Sequence, residues 1–400
     1  MKIVGIVTEY NPFHLGHQHQ MEAIKASLRE NCSFVCCMSG NFVQRGEPAL
    51  IDKWKRTELA LRCGADLVIE LPTPWAASTA QRFARGAVSL LNATGVVEVI
   101  AFGSESADQA ALETAAACID TPLFRQTLRT ELNQGAPFAQ ARQAAVRACV
   151  GEDAAACLDR PNDSLAVEYL SALRYLQGSM RPLAILRQGA AHDGAPKGGT
   201  ASASAIRSLI RQGDWKQAEQ FLPEACREPL RQAPLSDMER CSRAVLYRLR
   251  SMEEAEFRAL PDCGEGLHRR LMAAAREGDS LQAVVALAKT KRYTEARIRR
   301  AILWAYLGLR TEEQPVLPPY IKVLGFRETG RDLLRRMKQT ASLPVLTKPA
   351  HGLRWAGAEG TVLRQEARCT DLFDLTLPAL PPCGREWRES PVCLLDGRSI

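Results

Sequence analysis

The chain has 400 residues, 46% hydrophobic and 24% charged, with a formal net charge of +7. This balance excludes a mostly disordered chain, a collagen-like repeat and a disulfide-stapled miniature. The length corresponds to two or three domains at roughly 100–200 residues each. No apolar run approaches the ~18 residues a membrane helix needs. Residues 1–7 lack the long apolar core and cleavage site of a signal peptide, so a cytoplasmic protein with no membrane partner is expected.

In chain order, residues 2–9 form a β-branched run (Ile3, Val4, Ile6, Val7) suited to a strand buried on both faces. Residues 15–30 place Met21, Ile24 and Leu28 at helical spacing. Apolar runs at 33–39, 66–71 and 97–103 read as further strands, with helices at 52–63 and 80–91. The alternation predicts an α/β fold with a doubly wound, parallel, Rossmann-like sheet. Beyond residue 108 the period turns helical (111–120, 137–149, 163–176), then 182–188 reads as one more strand, followed by a helix from about Ser202. Residues 1–212 are therefore expected to form one α/β domain with a helical insertion at about 120–180. Residues 213–314 are helical in period and form a second expected unit. The proline-rich stretch 315–319 marks a boundary or hinge, and residues 315–400 carry no readable fold.

Charge is unevenly spread. Residues 1–120 hold 10 basic and 13 acidic residues, or −3, whereas 201–310 hold 20 and 14, or +6. The basic rear is either a polyanion surface or an ordinary solvated face. Its densest part sets Lys289, Lys291, Arg292, Arg297, Arg299 and Arg300 against Glu295, with Tyr293 interleaved. Such a stripe suits RNA phosphates and unpaired bases, although a plain basic helix has the same composition. Thirteen cysteines without a C-x-x-C pair read as free thiols, and no metal site is expected.

The segment that carries chemistry is Thr8-Glu9-Tyr10-Asn11-Pro12-Phe13-His14-Leu15-Gly16-His17, between the first strand and the first helix. Pro12 forces a turn. His14 and His17 stand three residues apart on one helical face, and Gly16 opens space for a close approach. A helix N-terminus adds orphan N–H groups and a positive dipole end, which favour an anion. The pattern has the form of the H-x-G-H signature of nucleotidylyl transferases and class I aminoacyl-tRNA synthetases. That motif stabilises the charge developing at the α-phosphate of ATP, an electrostatic task. Histidines on a surface or on a metal are the alternative. A second element in that superfamily holds the outer phosphates, and Gly198-Gly199-Thr200-Ala201-Ser202-Ala203-Ser204-Ala205-Ile206-Arg207 has the composition for it. There Ser202, Ser204 and Arg207 suit pyrophosphate, unless the segment is a linker. Gly103 ends a strand where a base or ribose can approach. Asn162 and Asp163 either cap a helix or contact ligand, and Arg187 suits a phosphate or carboxylate. Gln44, Arg45, Asp52 and Lys53 lie in a polar segment that either meets an acceptor substrate or is simply solvated.

Taken together, V-G-I-V-T-E-Y-N-P-F-H-L-G-H, N-F-V-Q-R-G-E-P-A, D-L-V-I-E-L-P, F-G-S-E, R-P-N-D-S-L and S-A-S-A-I-R closely resemble the bacterial tRNA(Met) cytidine acetate ligase family. The likeness is strong over 1–210 and continues through residues 289–300 and 323–326. It implies that ATP, with Mg, and acetate form acetyl-adenylate, and that the acetyl group passes to N4 of the wobble cytidine of elongator tRNA(Met). It also implies binding of the tRNA anticodon region, for which the six cations at 289–300 are the candidates. By the same resemblance the ATP site comprises Val7, Thr8, Glu9, Tyr10, Asn11, Pro12, Phe13, His14, Leu15, Gly16, His17, Gln18, His19 and Gln20, with Gly103, Asn162 and Arg187. At Leu15 the sequence departs from the family pattern, where Asn is common. The rival readings are a metabolite adenylyltransferase of the same superfamily and a non-catalytic tRNA-binding protein.

Overall fold

The computed structural model describes residues 1–187, 201–395 and 398–399. Among the described residues there are eleven strands: β1 (Lys2–Thr8), β2 (Cys32–Ser39), β3 (Phe42–Val43), β4 (Glu47–Pro48), β5 (Leu67–Leu71), β6 (Val99–Ser104), β7 (Arg181–Leu186), β8 (Ile321–Arg327), β9 (Val345–Leu346), β10 (Val392–Leu395) and β11 (Arg398–Ser399). Nine form one sheet in the order β11-β10-β8-β5-β2-β1-β6-β7, with β9 beside β8; β3 and β4 form a separate ribbon. The expected doubly wound parallel arrangement occupies β5-β2-β1-β6-β7. Its chain path runs outward from β1 through β2 to β5, then returns to β6 on the other side of β1. The crevice at the carboxyl ends of β1 and β6 is thus the topological switch point, where open α/β sheets bind ligands.

Alternate residues of each central strand enter opposite cores. Ile3, Val35, Cys37, Leu67 and Ile69 pack on one face, and Val4, Ile6, Phe34, Cys36 and Val68 on the other. That two-sided burial is why these strands read as continuous apolar runs. The helical insertion lies on the first face through residues such as Phe124, Ala145 and Tyr169. A third core, from Cys241 to Leu309, is helical and also takes Phe42, Cys369 and Phe373.

The sheet continues beyond the parallel part. β8 runs antiparallel to β5, and β10 is parallel to β8. Residues beyond the prolines at 315–319 therefore complete the main sheet, and β8 covers an edge of β5 that would otherwise expose unpaired backbone. Beneath this junction five ionisable side chains are buried together. Lys53 Nζ, on helix α2 (Lys53–Arg62), lies 2.6 Å from Glu70, 2.7 Å from Glu386 and 3.5 Å from Glu366. Lys322 on β8 lies 3.0 Å from Glu70 and pairs with Glu386. Thr73 donates to Glu366 from both N–H and hydroxyl, and Thr370 donates to Glu386. Buried charge persists only when paired and hydrogen-bonded in this way.

Two residues weighed as acceptor contacts are thereby corrected. Lys53 is fully buried among carboxylates, out of reach of a substrate. Asp52 caps α2 by accepting from Lys55 N–H at 2.8 Å and pairs with Arg385 at 3.0 Å. Among the described residues no helix is long and apolar enough to cross a membrane.

Candidate functional site

Helix α1 (Leu15–Leu28) opens at the switch point with His14 as its N-cap. The two histidines cap each other's backbone. His14 Nδ1 accepts from Gly16 N–H at 3.0 Å, and His17 Nδ1 accepts from His14 N–H at 3.2 Å. Their rings stack with centroids 3.8 Å apart and planes 28° from parallel. An Nδ1 that accepts a backbone proton leaves the proton of a neutral ring on Nε2. Each ring therefore offers one N–H donor on the edge opposite the backbone.

Both rings are held neutral. Burial first, then the Arg187 and Arg207 cations, push His14 down to about 3. Burial, then His14 and Arg187, hold His17 well below the ordinary imidazole range. Gly16 has a local reason: a Cβ there would stand 2.8 Å from His14 Cε1. The group that approaches closely is the capping imidazole itself. The Gly16 N–H is consumed by that cap, so the donors offered to an anion are the imidazole N–H groups more than free backbone N–H.

The rest of the motif forms a wall and an anchor. The Tyr10 ring lies 4.7 Å from Phe13 and 4.8 Å from His17, edge to face with the latter. Asn11 Oδ1 accepts from Leu50 N–H at 2.7 Å, and the Pro12 peptide is cis. Fully buried Arg56 donates to the carbonyls of Glu9 (2.6 Å), Ser39 (3.0 Å) and Gly40. Glu9 Oε1 accepts from Gln44 N–H at 2.8 Å. Arg56 and the Glu9–Gln44 bond fix the motif to the 39–52 segment, and sequence reading did not identify either. A positive residue in a polar stretch gives no sign that it will be buried against carbonyls.

Val7 and Thr8 sit on β1, and Leu15, Gln18 and Gln20 on α1; His19 is exposed, two positions from His17 and so turned off its face. Across the crevice, a Cβ on Gly103 would come 3.1 Å from Arg187 Cγ and 3.9 Å from Gln20 Nε2. The glycine thus makes room for Arg187 to cross the end of β6. Arg187 donates to Asn162 Oδ1 at 2.9 Å, and Asn162 Nδ2 donates to Glu105. Glu105 caps the helix Pro161–Tyr175 through the N–H groups of Asn162 and Asp163. Asp163 in turn accepts from Ser104 and from the N–H groups of Glu105 and Ser106. Asp163 is accordingly a clamp on the loop, while Asn162 carries the clamp's orientation to Arg187.

Gly198, Gly199 and Thr200 lie outside the described residues. Ser202 is the N-cap of the helix Ala203–Arg211, accepting from Ala205 N–H at 3.2 Å. Arg207 donates to Asn11 O at 2.8 Å, which joins this helix to the histidine motif. Ser204, Arg207 and Arg211 line one side of a cleft of about 520 Å³, with Arg45, Glu47 and Arg299 on the other. Through Arg207 the helix Ala203–Arg211 is joined to the histidine motif, and the cleft beside it faces the helix Glu295–Leu307.

The basic stripe is largely paired within the protein. Lys289 meets Glu295 at 2.9 Å, Arg297 meets Glu265 at 3.3 Å and Arg300 meets Asp262 at 3.1 Å. Arg292 lies 3.6 Å from Glu265, and Arg299 pairs with Glu47 and Glu295. Lys291 is exposed. Carboxylates distant in sequence offset the local excess of cations, so the helix Glu295–Leu307 is tied to the β3–β4 ribbon.

The likeness to known proteins is extensive. A family model described as HIGH Nucleotidyl Transferase matches residues 1–383. The tRNA(Met) cytidine acetate ligase of Thermoanaerobacter sp. is 38% identical over 361 residues, covering 87% of this chain and 89% of that protein. The tRNA(Met) cytidine acetate ligase of Clostridium perfringens is 34% identical over 396 residues, covering 95% and 96%. Crystal structures of Thermotoga maritima TmcAL superpose with TM-scores of 0.91 (apo) and 0.89 (bound with alpha-thio ATP), each at 32% identity and covering 99% of this chain and all of that one. The chain belongs to the HIGH nucleotidyl transferase family, and within it to the tRNA(Met) cytidine acetate ligases.

Proposed function

We propose that this protein activates acetate with ATP and acetylates N4 of the wobble cytidine of elongator tRNA(Met). An acetate oxygen attacks the α-phosphorus, the bond to the β-phosphate bridge breaks, and pyrophosphate leaves. Acetate is then a mixed anhydride with AMP as leaving group. The cytidine amine attacks its carbonyl carbon, AMP departs, and the amine gives up a proton.

The observation that carries this reading is the reciprocal capping of His14 and His17, which leaves two neutral rings with Nε2–H donors side by side. Adenylyl transfer moves negative charge and no proton, so a pair of fixed, neutral donors suits it. Their orientation is already set by backbone hydrogen bonds, so little reorganisation accompanies the reaction. Arg187 and Arg207 add cations on either side, Arg207 and Ser204 toward the departing pyrophosphate. Gly103 and Gln20 border the nucleotide with Asn162.

Mg would travel with the nucleotide's phosphates. There it would be held chiefly by phosphate oxygens and water. The tRNA anticodon region would meet the cleft between the helices Ala203–Arg211 and Glu295–Leu307. RNA phosphates there must displace carboxylates such as Glu47 from the arginines they now hold, which favours selectivity over raw affinity.

The test is incubation with ATP, acetate and tRNA, followed by mass spectrometry of the nucleosides, beside acetate-dependent ATP–pyrophosphate exchange. N4-acetylcytidine should form, and His14→Ala should abolish exchange while tRNA still shifts in a gel. Exchange that survives in His14→Ala would refute the role given to the histidines.

A further inference from the structure

Two of the thirteen cysteines meet although they stand 163 positions apart: the Sγ atoms of Cys63 and Cys226 are 3.1 Å apart. Cys63 is the C-cap of α2, and Cys226 lies on the helix Glu224–Arg231 that packs across α2. Their surroundings differ. Cys63 is partly exposed next to Arg62, whereas Cys226 is fully buried and also faces Leu59 O.

We infer that Cys63 and Cys226 form a site of reversible two-electron oxidation, in which a hydroperoxide converts the pair to a disulfide joining α2 to the helix Glu224–Arg231. The asymmetry assigns the roles. The partly exposed Cys63 thiolate attacks the peroxide, forming an S–O bond, breaking the O–O bond and releasing hydroxide. The Cys226 sulfur then attacks the Cys63 sulfur, and the S–O bond breaks. Water leaves with the Cys226 thiol proton. The peroxide gains two electrons and the two thiols lose them.

The electrostatics agree with this order. The Cys226 S–H hydrogen bond, opposed by burial and aided by the Arg62 cation, holds the Cys63 thiol below its ordinary range. The same contact and burial push Cys226 up. Cys36 and Cys263 are pushed up by burial instead, with no other sulfur among the causes. The pair also lies near the active crevice. Burial first, then Cys36, raises the Tyr10 phenol, a charge on Cys63 adding least, and Tyr10 packs on His17. Where glutathione keeps thiols reduced, the bond would be transient, a response to oxidant and not a permanent staple.

The experiment uses the full chain, reduced and desalted, then treated with hydrogen peroxide. Remaining thiols are alkylated, and the protein is digested without reductant and mapped by mass spectrometry. A peptide cross-linked through Cys63 and Cys226 is expected, together with a rise of several degrees in the thermal midpoint, both reversed by dithiothreitol. In Cys226→Ser the cross-link should vanish and Cys63 should instead react with dimedone, as a sulfenic acid does. The inference fails if Cys63 and Cys226 are recovered alkylated at doses that oxidise exposed Cys383. It also fails if wild-type Cys63 is oxidised without forming the cross-link.

Discussion

Gly46 lies against the backbone of Arg300: a Cβ built on it would stand 2.4 Å from Arg300 N and 2.6 Å from Arg299 C. Its φ of +79° is also one that side chains rarely adopt. The loop of the β3–β4 ribbon can therefore press on the helix Glu295–Leu307 only because a hydrogen stands there. Gly46→Ala meets backbone, which cannot rotate away, and should cost roughly 1–3 kcal/mol from conformation alone. Urea unfolding measures this. Because the loop also carries Gln44 and Glu47, tRNA acetylation should fall more than acetate-dependent exchange; an Ala variant as stable and active as the parent would contradict the packing.

The neutral histidines make a prediction about pH. A His14 pKa of about 3 against 6.5 in the unfolded chain means that the unfolded state binds the extra proton as pH falls below 6.5. Stability is therefore retained above pH 6.5 and lost progressively down to about 3. At pH 5 the loss from His14 alone is about 2 kcal/mol by linkage. His14→Gln should remove most of this slope, so the two unfolding free energies should converge as the pH drops from 7 to 5. Parallel curves would show that His14 titrates normally. Exchange activity should likewise show no imidazole inflection between pH 6 and 8.

Gly103 makes room for Arg187, since a Cβ there would press on Arg187 Cγ and Cδ at 3.1 and 3.3 Å. Gly103→Leu should push the guanidinium off the crevice and break its bond to Asn162. On the proposed function Arg187 holds ATP in ground state and transition state alike, so KM for ATP should rise several-fold, about 1 kcal/mol, with kcat much less affected. An unchanged KM would place Arg187 outside the nucleotide site.

How much of this was legible in the sequence follows from how local each interaction is. β1, β2, β5 and β6 were visible because burial on both faces writes a continuous apolar run, and β7, half-exposed at the sheet edge, because residues 182–186 are themselves apolar. The H-x-G-H segment was visible because its residues adjoin in sequence. β8 was not, because a single strand following a run of prolines carries no alternation to announce an antiparallel partner. The paired state of Arg297, Arg299 and Arg300 was equally hidden, because Glu47, Asp262 and Glu265 come from other parts of the chain. Lys53 shows the same limit: its solvent-like neighbours in sequence gave no hint of Glu366 and Glu386, more than 300 residues away.

That buried cluster yields the sharpest stability test. Lys53 and Lys322 face Glu70, Glu366 and Glu386, so one carboxyl is in excess of the cations. Burial and the neighbouring Glu70 raise the Glu366 carboxyl, while Lys322 and Lys53 hold Glu70 down at about 2 despite its burial. Removing one cation should be severe: Lys53→Met leaves buried carboxylates uncompensated, at a cost of about 3–5 kcal/mol. Glu366→Gln keeps an acceptor for Thr73 and removes the excess charge, so alone it should cost at most about 1 kcal/mol. Combined with Lys53→Met it should restore part of the loss, because the two residues share one network. A double-mutant cycle by urea unfolding measures the coupling. Strict additivity would mean that Glu366 and Lys53 do not sense each other's charge, and that the junction of β5 and β8 is held by packing alone.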